Sequence, residues 1–538
     1  MEFDYVIVGA GSAGCVVAAR LAEDPSVSVC LLEAGGPDTS ALIHIPLGFA
    51  AGVNLGRNAV LYETVPQPGL NGKRGYQPRG RTLGGSSSIN AMVYCRGNRY
   101  DYDNWAALGN PGWDYASVLP YFKRAENSEC MGEDDYRGVG GPLNTAWLRD
   151  PSPLNEAFLA ACEEQGLART PDYNGAQQEG CWPSQVTMRN GERCSAAKAY
   201  LAPLTSASPR ANLRIMTGVQ ATRLELREGR AHGVHIEQGG VAQLVRARRE
   251  VILSGGSFGS PQLLMLSGVG DGAALQAMGI ESRHQLPGVG ANLQDHATTV
   301  LIWRTRAGHE TLGLSLGGGF RLARGYGQWQ RELRGPLTTN VAESGAFFRT
   351  DPSLPAPDIQ LELCIGMVDD HNRKMHWGHG YTVHVTLMRP RSRGSVTLAS
   401  PDPRAAPLID PRFLSDEADL AALVAGTQRT YDIMMAGPLA RYRGKMLYEM
   451  RRDDVADVAR HVRSQTDTEY HPAGTCRMGP GSDPMAVVDA RLRVHGIAGL
   501  RVVDASIMPQ LTTGNTNAPT IMIGERAADL IKEDARAL

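Results

Sequence analysis

An excess of charge of either sign is missing from this chain. Lys and Arg number 54, Asp and Glu 56, and the formal charge is −2, which removes the electrostatic footprint of a general nucleic-acid binder. Long apolar runs are missing too. Nowhere do about 18 apolar residues follow one another, so no transmembrane helix is expected. The opening Met-Glu-Phe-Asp lacks a basic segment and a cleavage site; no secretory signal is expected, and the expected location is cytoplasmic. The nine cysteines are scattered and never spaced C-x-x-C. That excludes a disulfide framework, a zinc ribbon and a dithiol reductase, fits a reducing compartment, and leads us to expect no metal. No internal repeat or low-complexity tract is found.

Apolar residues at 42% and charged residues at 20% exclude global disorder and supply a sizeable core. At roughly 150 residues per domain, the length suits two to four domains, or two large interleaved ones. Glycine is abundant, 62 of 538 residues or about 11.5%, against the usual ~7%. No collagen-like period accompanies it, so tight turns and close backbone approaches of the kind cofactor sites need are expected.

Tyr5-Val6-Ile7-Val8 reads as a buried parallel strand. Gly9-Ala10-Gly11-Ser12-Ala13-Gly14 follows, then a helical stretch from Cys15 to Glu23, then a second strand from Val27 to Leu32 that ends at Glu33. This is G-x-G-x-x-G inside a βαβ unit. Gly9 permits the turn, Gly11 lets the backbone approach a pyrophosphate, and Gly14 lets the helix pack on the sheet. The helix N-terminus around Ser12 and Ala13 offers open N–H groups to phosphates. Glu33 is placed to accept from ribose hydroxyls and disfavours a 2′-phosphate. The motif alone does not separate NAD from FAD; Ala34-Gly35-Gly36 continues in the manner of flavoproteins.

Three further stretches carry a resemblance: RGRTLGGSSSINAMVYCRG at 79–97, HPAGTCRMG at 471–479, and VVDASIMPQLTTGNTNAPTIMIGE at 502–525. With the N-terminal fingerprint, they resemble the glucose–methanol–choline (GMC) oxidoreductases, FAD-dependent enzymes that oxidise alcohols. The match runs from residue 3 to about residue 533. In look it is similar to bacterial aliphatic alcohol dehydrogenases and to choline dehydrogenases.

The resemblance implies a Rossmann-like α/β FAD-binding domain, discontinuous over 1–155, 197–295 and 491–538. It also implies an α+β substrate domain with an antiparallel sheet over 156–196 and 296–490. Alternating residues at 379–411 suit that sheet. The loop Thr82-Leu83-Gly84-Gly85-Ser86, opening an apparent helix, and Asn90, Ala91, Met92 and Val93 would lie against the flavin. Ile89 stands where some relatives attach the flavin through histidine, so FAD is expected to be bound non-covalently. Val219 would face the adenine, or be a plain sheet residue. Asp504, Ala505, Asn515 and Thr516 would close the FAD site, with a helix from about Pro519 to Lys532 aimed at it.

For the chemistry, the resemblance points to His471 as the base that takes the hydroxyl proton and to Asn515 as the group that holds the alkoxide. An unperturbed imidazole with a pKa of ~6.5 suits the first role. Glu343 and Tyr470 would meet the substrate. Glu343 matches a glutamate of choline-using relatives, but Val60 replaces the usual tryptophan, and a quaternary ammonium wants aromatic faces. A medium-chain or aromatic primary alcohol fits better. Glu469 departs from the small or apolar residue usual there; it either turns outward or, facing the flavin, disfavours an anionic reduced flavin or attracts a basic substrate. Residues 42–56 form either a lid over the flavin or a surface that meets a membrane or a quinone, which would put the protein at the membrane's inner face. Residues 308–335 read as a solvated basic helix or a mobile lip.

The leading expectation is an alcohol dehydrogenase passing electrons to a quinone or similar acceptor. A choline dehydrogenase, an oxygen-using oxidase and a lyase on the same fold are the alternatives.

Overall fold

The computed structural model describes residues 1–207 and 209–537. Its first strand, Glu2–Val8, is buried from Asp4 onward. Branched apolar side chains on both faces suit a strand covered on two sides. The helix Ser12–Leu21 starts earlier than Cys15, directly after Gly11. The strand Val29–Glu33 then runs parallel to the first, with Val8 opposite Leu32.

The sheet so begun has seven strands. Leu213–Thr217, Val29–Glu33, Glu2–Val8, Val241–Leu253 and Leu500–Val502 run parallel, and Arg230–Gln238 and Val219–Arg227 extend the sheet as an antiparallel meander. Gly9, Ala34 and Ser254 follow three of the parallel strands directly, so their ends open one crevice. In such sheets a ligand sits outside the carboxyl ends of the strands.

The last helix, Asn517–Ala537, crosses Ser12–Leu21 at Gly524, where a Cβ would come within 2.9 Å of the Val16 Cβ. One turn-neighbour, Glu525, is fully buried and receives Arg20 Nη2 at 2.8 Å and Arg124 Nε at 2.8 Å. The crossing brings residues far apart in sequence, Asn515 among them, back to the first strand's end.

A second seven-stranded sheet is antiparallel along its main path. In order it comprises Asp467–Thr468, Ala297–Arg304, Gly378–Leu387, Ile359–Cys364, Ala342–Phe348 and Gly180–Pro183, with Gly313–Leu314 beside Gly378–Leu387. Its register sets Glu362 directly opposite His384. Only part of the alternating run at 379–411 joins this sheet. Pro390, which has no N–H to give to a ladder, follows Gly378–Leu387. Beyond it, Gly394–Thr397 pairs instead with Ala291–Leu293 and Leu408–Asp410 in a separate sheet.

Two helices, Leu154–Glu164 and Glu417–Met435, contribute to a core with this sheet. The 308–335 stretch contains the helix Leu316–Glu332, whose Leu316 and Phe320 are 87% and 72% exposed. Among the described residues no helix is long and apolar enough to cross a membrane.

Candidate active site

The two sheets meet at a cavity of about 420 Å³ lined from Glu33 at one end to His471 and Asn515 at the other. Its dinucleotide end is built by close backbone crossings. Gly9 sits at φ +101°, and a Cβ there would lie 2.3 Å from the Ser254 carbonyl oxygen. A Cβ on Gly14 would lie 1.9 Å from the Gly9 carbonyl oxygen, so Gly14 packs helix against strand behind the cavity wall. The helix Ser12–Leu21 has no capping side chain, and Ser12 and Ala13 line the cavity, leaving open N–H groups for an anion. The Glu33 carboxylate accepts from Ala10 N at 3.0 Å and Gly35 N at 2.7 Å. Burial raises its pKa against those donors.

Ala34 and Val219 line the same end. Asp504 accepts from Gly256 N at 2.9 Å, Ser260 Oγ at 2.6 Å and Ser506 N at 2.8 Å, tying the second glycine turn to the C-terminal segment. Cβ atoms added at Gly256 or Gly259, both lining the cavity, would meet nothing within 4 Å. A narrow floor of glycines, an uncapped helix start and a buried acid at the far end fit an ADP group.

Residues 85, 86 and 90–93 line the middle of the cavity, with Ile89 among them. The 82–90 loop does not open an α-helix as expected. It holds only the 3₁₀ turn Gly85–Ser88, because Gly84 and Gly85 lie at φ +84° and +53°, outside helical space. Thr82 and Gly84 stand behind the wall. Thr82 Oγ1 donates to the Gly36 carbonyl at 3.0 Å, and Gly84 N donates to the Ala10 carbonyl at 2.8 Å.

At the other end, His471 Nε2 lies 3.4 Å from Asn515 Nδ2. Burial, with Arg79 opposing any added positive charge, lowers the imidazole pKa to about 4 although the Glu469 carboxylate raises it. His471 N donates to Asp295 Oδ1 at 3.0 Å, and the other oxygen of Asp295 accepts from Thr468 Oγ1 at 2.6 Å and Gln77 Nε2 at 2.7 Å. Arg79 Nη1 donates to the Tyr470 carbonyl at 2.9 Å. These bonds hold Tyr470 at φ +65°, a costly backbone for a bulky residue. The Tyr470 hydroxyl is hydrogen-bonded to His371 Nδ1. Asp370, His371 and Asp467 group like metal ligands, but His371 Nε2 is on Asp467 at 3.1 Å and Lys73 Nζ is 3.6 Å from the same carboxylate.

Glu469 turns inward and lines the cavity with Glu362. His384 Nδ1 lies 3.0 Å from Glu469 Oε2. Burial and then the Glu469 charge push the Glu362 carboxyl well above the usual carboxylate range. Glu362 Oε1 accepts from Asn515 Nδ2 at 3.3 Å and from Gln360 Nε2 at 3.0 Å.

Glu343, expected at the substrate, is not brought to this cavity. Its carboxylate accepts from Ser152 N at 2.7 Å, Asn155 Nδ2 at 2.6 Å and Thr339 Oγ1 at 2.5 Å, beside a separate small pocket. Glu362 holds the cavity position instead. Sequence reasoning also passed over Asp295, His296, His384 and the side chain of Arg79. Arg79 and His384 lie in quoted stretches, whereas Asp295-His296 carried no motif that was read.

Comparisons with known proteins show the family. GMC oxidoreductase family models match residues 3–298 and 390–524. An alcohol dehydrogenase (acceptor) of Pseudomonas putida is 43% identical over 534 residues, spanning 98% of this chain and 95% of that protein. A mitochondrial choline dehydrogenase of Homo sapiens is 44% identical over 541 residues, spanning 99% of this chain and 90% of that protein. The crystal structure of pyridoxine 4-oxidase from Mesorbium loti superposes with a TM-score of 0.88 at 32% identity, covering 98% of each chain. The chain belongs to the GMC oxidoreductases: it is an FAD-dependent oxidoreductase with the FAD-binding and substrate-binding architecture of that family.

A Cβ on Gly85 would lie 2.7 Å from the Gly11 Cα, at a φ only glycine takes freely. Gly85→Ala is therefore expected to weaken FAD retention about tenfold. Flavin absorbance per protein after exhaustive dialysis measures this, and an unchanged ratio would show that the crossing is not part of the cofactor cradle.

Proposed function

We propose that the protein oxidises a primary alcohol to an aldehyde and passes the electrons to a quinone or similar acceptor. Residues 156–196 and 296–490 would supply the alcohol side and the rest of the chain the FAD side. Bound FAD supplies the hydride acceptor. His471 Nε2 takes the hydroxyl proton, and Asn515 Nδ2 donates to the oxygen as its negative charge grows. The observation that carries this reading is a neutral, deeply buried imidazole 3.4 Å from an amide donor at the end of a dinucleotide cavity.

The test is anaerobic bleaching of the flavin by a panel of primary alcohols. No bleaching by any of them would sink the reading, and peroxide formed in air would favour an oxidase. His471→Ala should slow bleaching by ~10²–10⁴ and leave the protein yellow. With the imidazole pKa lowered to about 4, the base is already free at neutral pH. The rate should fall only as pH drops through about 4, and an acid limb near the ordinary histidine value would contradict the burial argument.

The ionised Glu469 carboxylate in the cavity wall supports a second reading, an alcohol that carries an amine. Choline and 2-aminoethanol belong in the panel beside 1-propanol. Equal rates for the charged and uncharged members would remove this reading. Val60 lines the cavity where an aromatic face would be wanted for choline.

Non-covalent attachment rests on Ile89, which has no nucleophilic atom and lines the cavity. Acid or heat denaturation should release all the flavin into the supernatant; colour left on the pellet would overturn it.

Contact with the inner face of a membrane is supported by the cavity's surroundings. Phe49, Ala50, Val53 and Asn54 line the cavity, which favours the lid role for residues 42–56. Asn54 Nδ2 donates to the His371 carbonyl at 2.9 Å. Beyond His371, Met375 and Trp377 are 65% and 67% exposed, with Arg373 and Lys374 exposed between them and the lid. Trp377 bridges to Leu314, next to exposed Leu316 and Phe320. Exposed aromatic and aliphatic side chains among basic ones suit an anionic lipid surface. Sedimentation with anionic vesicles should fall about tenfold in a Phe320→Ser, Trp377→Ser double variant; unchanged sedimentation would remove the patch from the argument.

A further inference from the structure

We propose that His296 is a positioning residue that decides which nitrogen of His471 is free to take a proton. The proposal rests on the reading of His471 as the base and deepens it.

His296 is fully buried. Its Nε2 lies 3.2 Å from the Met388 carbonyl oxygen. A carbonyl can only accept, so Nε2 carries a hydrogen. Its Nδ1 lies 3.0 Å from Nδ1 of His471, with the two rings nearly perpendicular at 87°. Two ring nitrogens at that distance need one hydrogen between them. Burial, and then the neighbouring His471, keep the His296 ring uncharged, and an uncharged ring with its hydrogen on Nε2 has a bare Nδ1. The shared hydrogen therefore belongs to His471 Nδ1. A neutral His471 has only one hydrogen, so its Nε2 is bare, and that is the nitrogen that faces Asn515.

The reverse direction fails at its far end. A hydrogen on His296 Nδ1 would set two lone pairs against each other at the Met388 carbonyl, beside a fully buried ring. The peptide carbonyl cannot titrate or turn over, so the polarity of the whole chain is fixed by the backbone. When His471 takes a proton at Nε2, its Nδ1–H still has an acceptor, and the new imidazolium is not left with an orphaned donor.

The role differs from that of a residue that touches substrate. His296 acts through His471 alone, and outer groups of this kind are typically worth about 10–100-fold.

The test uses holoenzyme labelled with ¹⁵N-histidine, with the His471 resonances identified by their loss in His471→Ala. In the wild type, His471 should show a bare Nε2 and a protonated Nδ1. His296→Leu, which removes the acceptor, should mix or invert that pattern and slow anaerobic flavin bleaching by a primary alcohol about 100-fold, with substrate affinity little changed. His296→Gln, which returns an oxygen acceptor, should restore the tautomer and most of the rate. A hydrogen on Nε2 in the wild type would overturn the proposal. So would a His296→Leu protein that keeps both tautomer and rate. Should His296→Leu fail to fold, the wild-type resonances and His296→Gln still decide. If no alcohol bleaches the wild-type flavin, the base reading falls by itself, and the resonances still decide what His296 does.

Discussion

Withdrawal of water from one imidazole is the constraint around which this site is arranged. A histidine in solution would be partly protonated near neutral pH, and a protonated ring cannot take a proton from an alcohol. Burial lowers the pKa of His471 to about 4, and that burial needs both sheets. Asp295 and His296, just before the strand Ala297–Arg304, hold the backbone and one edge of the ring. Asn515, just before the last helix, covers the other edge. The helix Gly256–Leu266, which follows the first sheet's strand Val241–Leu253, contributes the floor through Ser257, whose hydroxyl donates to the Pro472 carbonyl at 2.6 Å.

The backbone carries much of this arrangement. Tyr470 is in the left-handed region, and the strain is stored beside the residue that must be aimed. Asp295 accepts the His471 N–H, and Arg79 donates to the Tyr470 carbonyl. Both ends of the Tyr470–His471 peptide group are thus held by charged side chains, the preceding N–H of Tyr470 donates to Thr468 Oγ1 at 2.7 Å, and Asp295 is itself fixed by Thr468 and Gln77. A turn of the Tyr470 backbone would break these bonds together, so the imidazole is positioned by a network and not by its own rotamer alone.

What the sequence made legible was local. Gly9, Gly11 and Gly14 work within a single turn of chain, and residues 471–479 are a continuous stretch, so pattern alone could locate them. The groups that tune His471 are not local. Glu362 meets His384 only because of a strand register, and both meet Glu469 only after the chain returns more than a hundred residues from Glu362. Glu343 shows the converse: two glutamates stand on neighbouring strands, and the sheet sends one toward Asn155 and the other toward Asn515. The serines at 86–88 favour a helix start at this loop, but two consecutive left-handed glycines at 84 and 85 override that preference.

The presence of Glu469 so near the base looks at first like an error of design. A carboxylate raises the pKa of an adjoining imidazole, and Glu469 does act on His471 in that direction. His384 supplies the answer. Burial alone would drive this imidazole neutral, but the Glu469 carboxylate 3.0 Å away holds it protonated. In return, the imidazolium keeps Glu469 ionised against its own burial. Glu362, next to that settled negative charge and itself buried, keeps its proton. The three groups then carry one negative charge, one positive charge and one neutral carboxyl. Desolvation remains the dominant influence on the base, with the Glu469 charge raising its pKa and Arg79 lowering it.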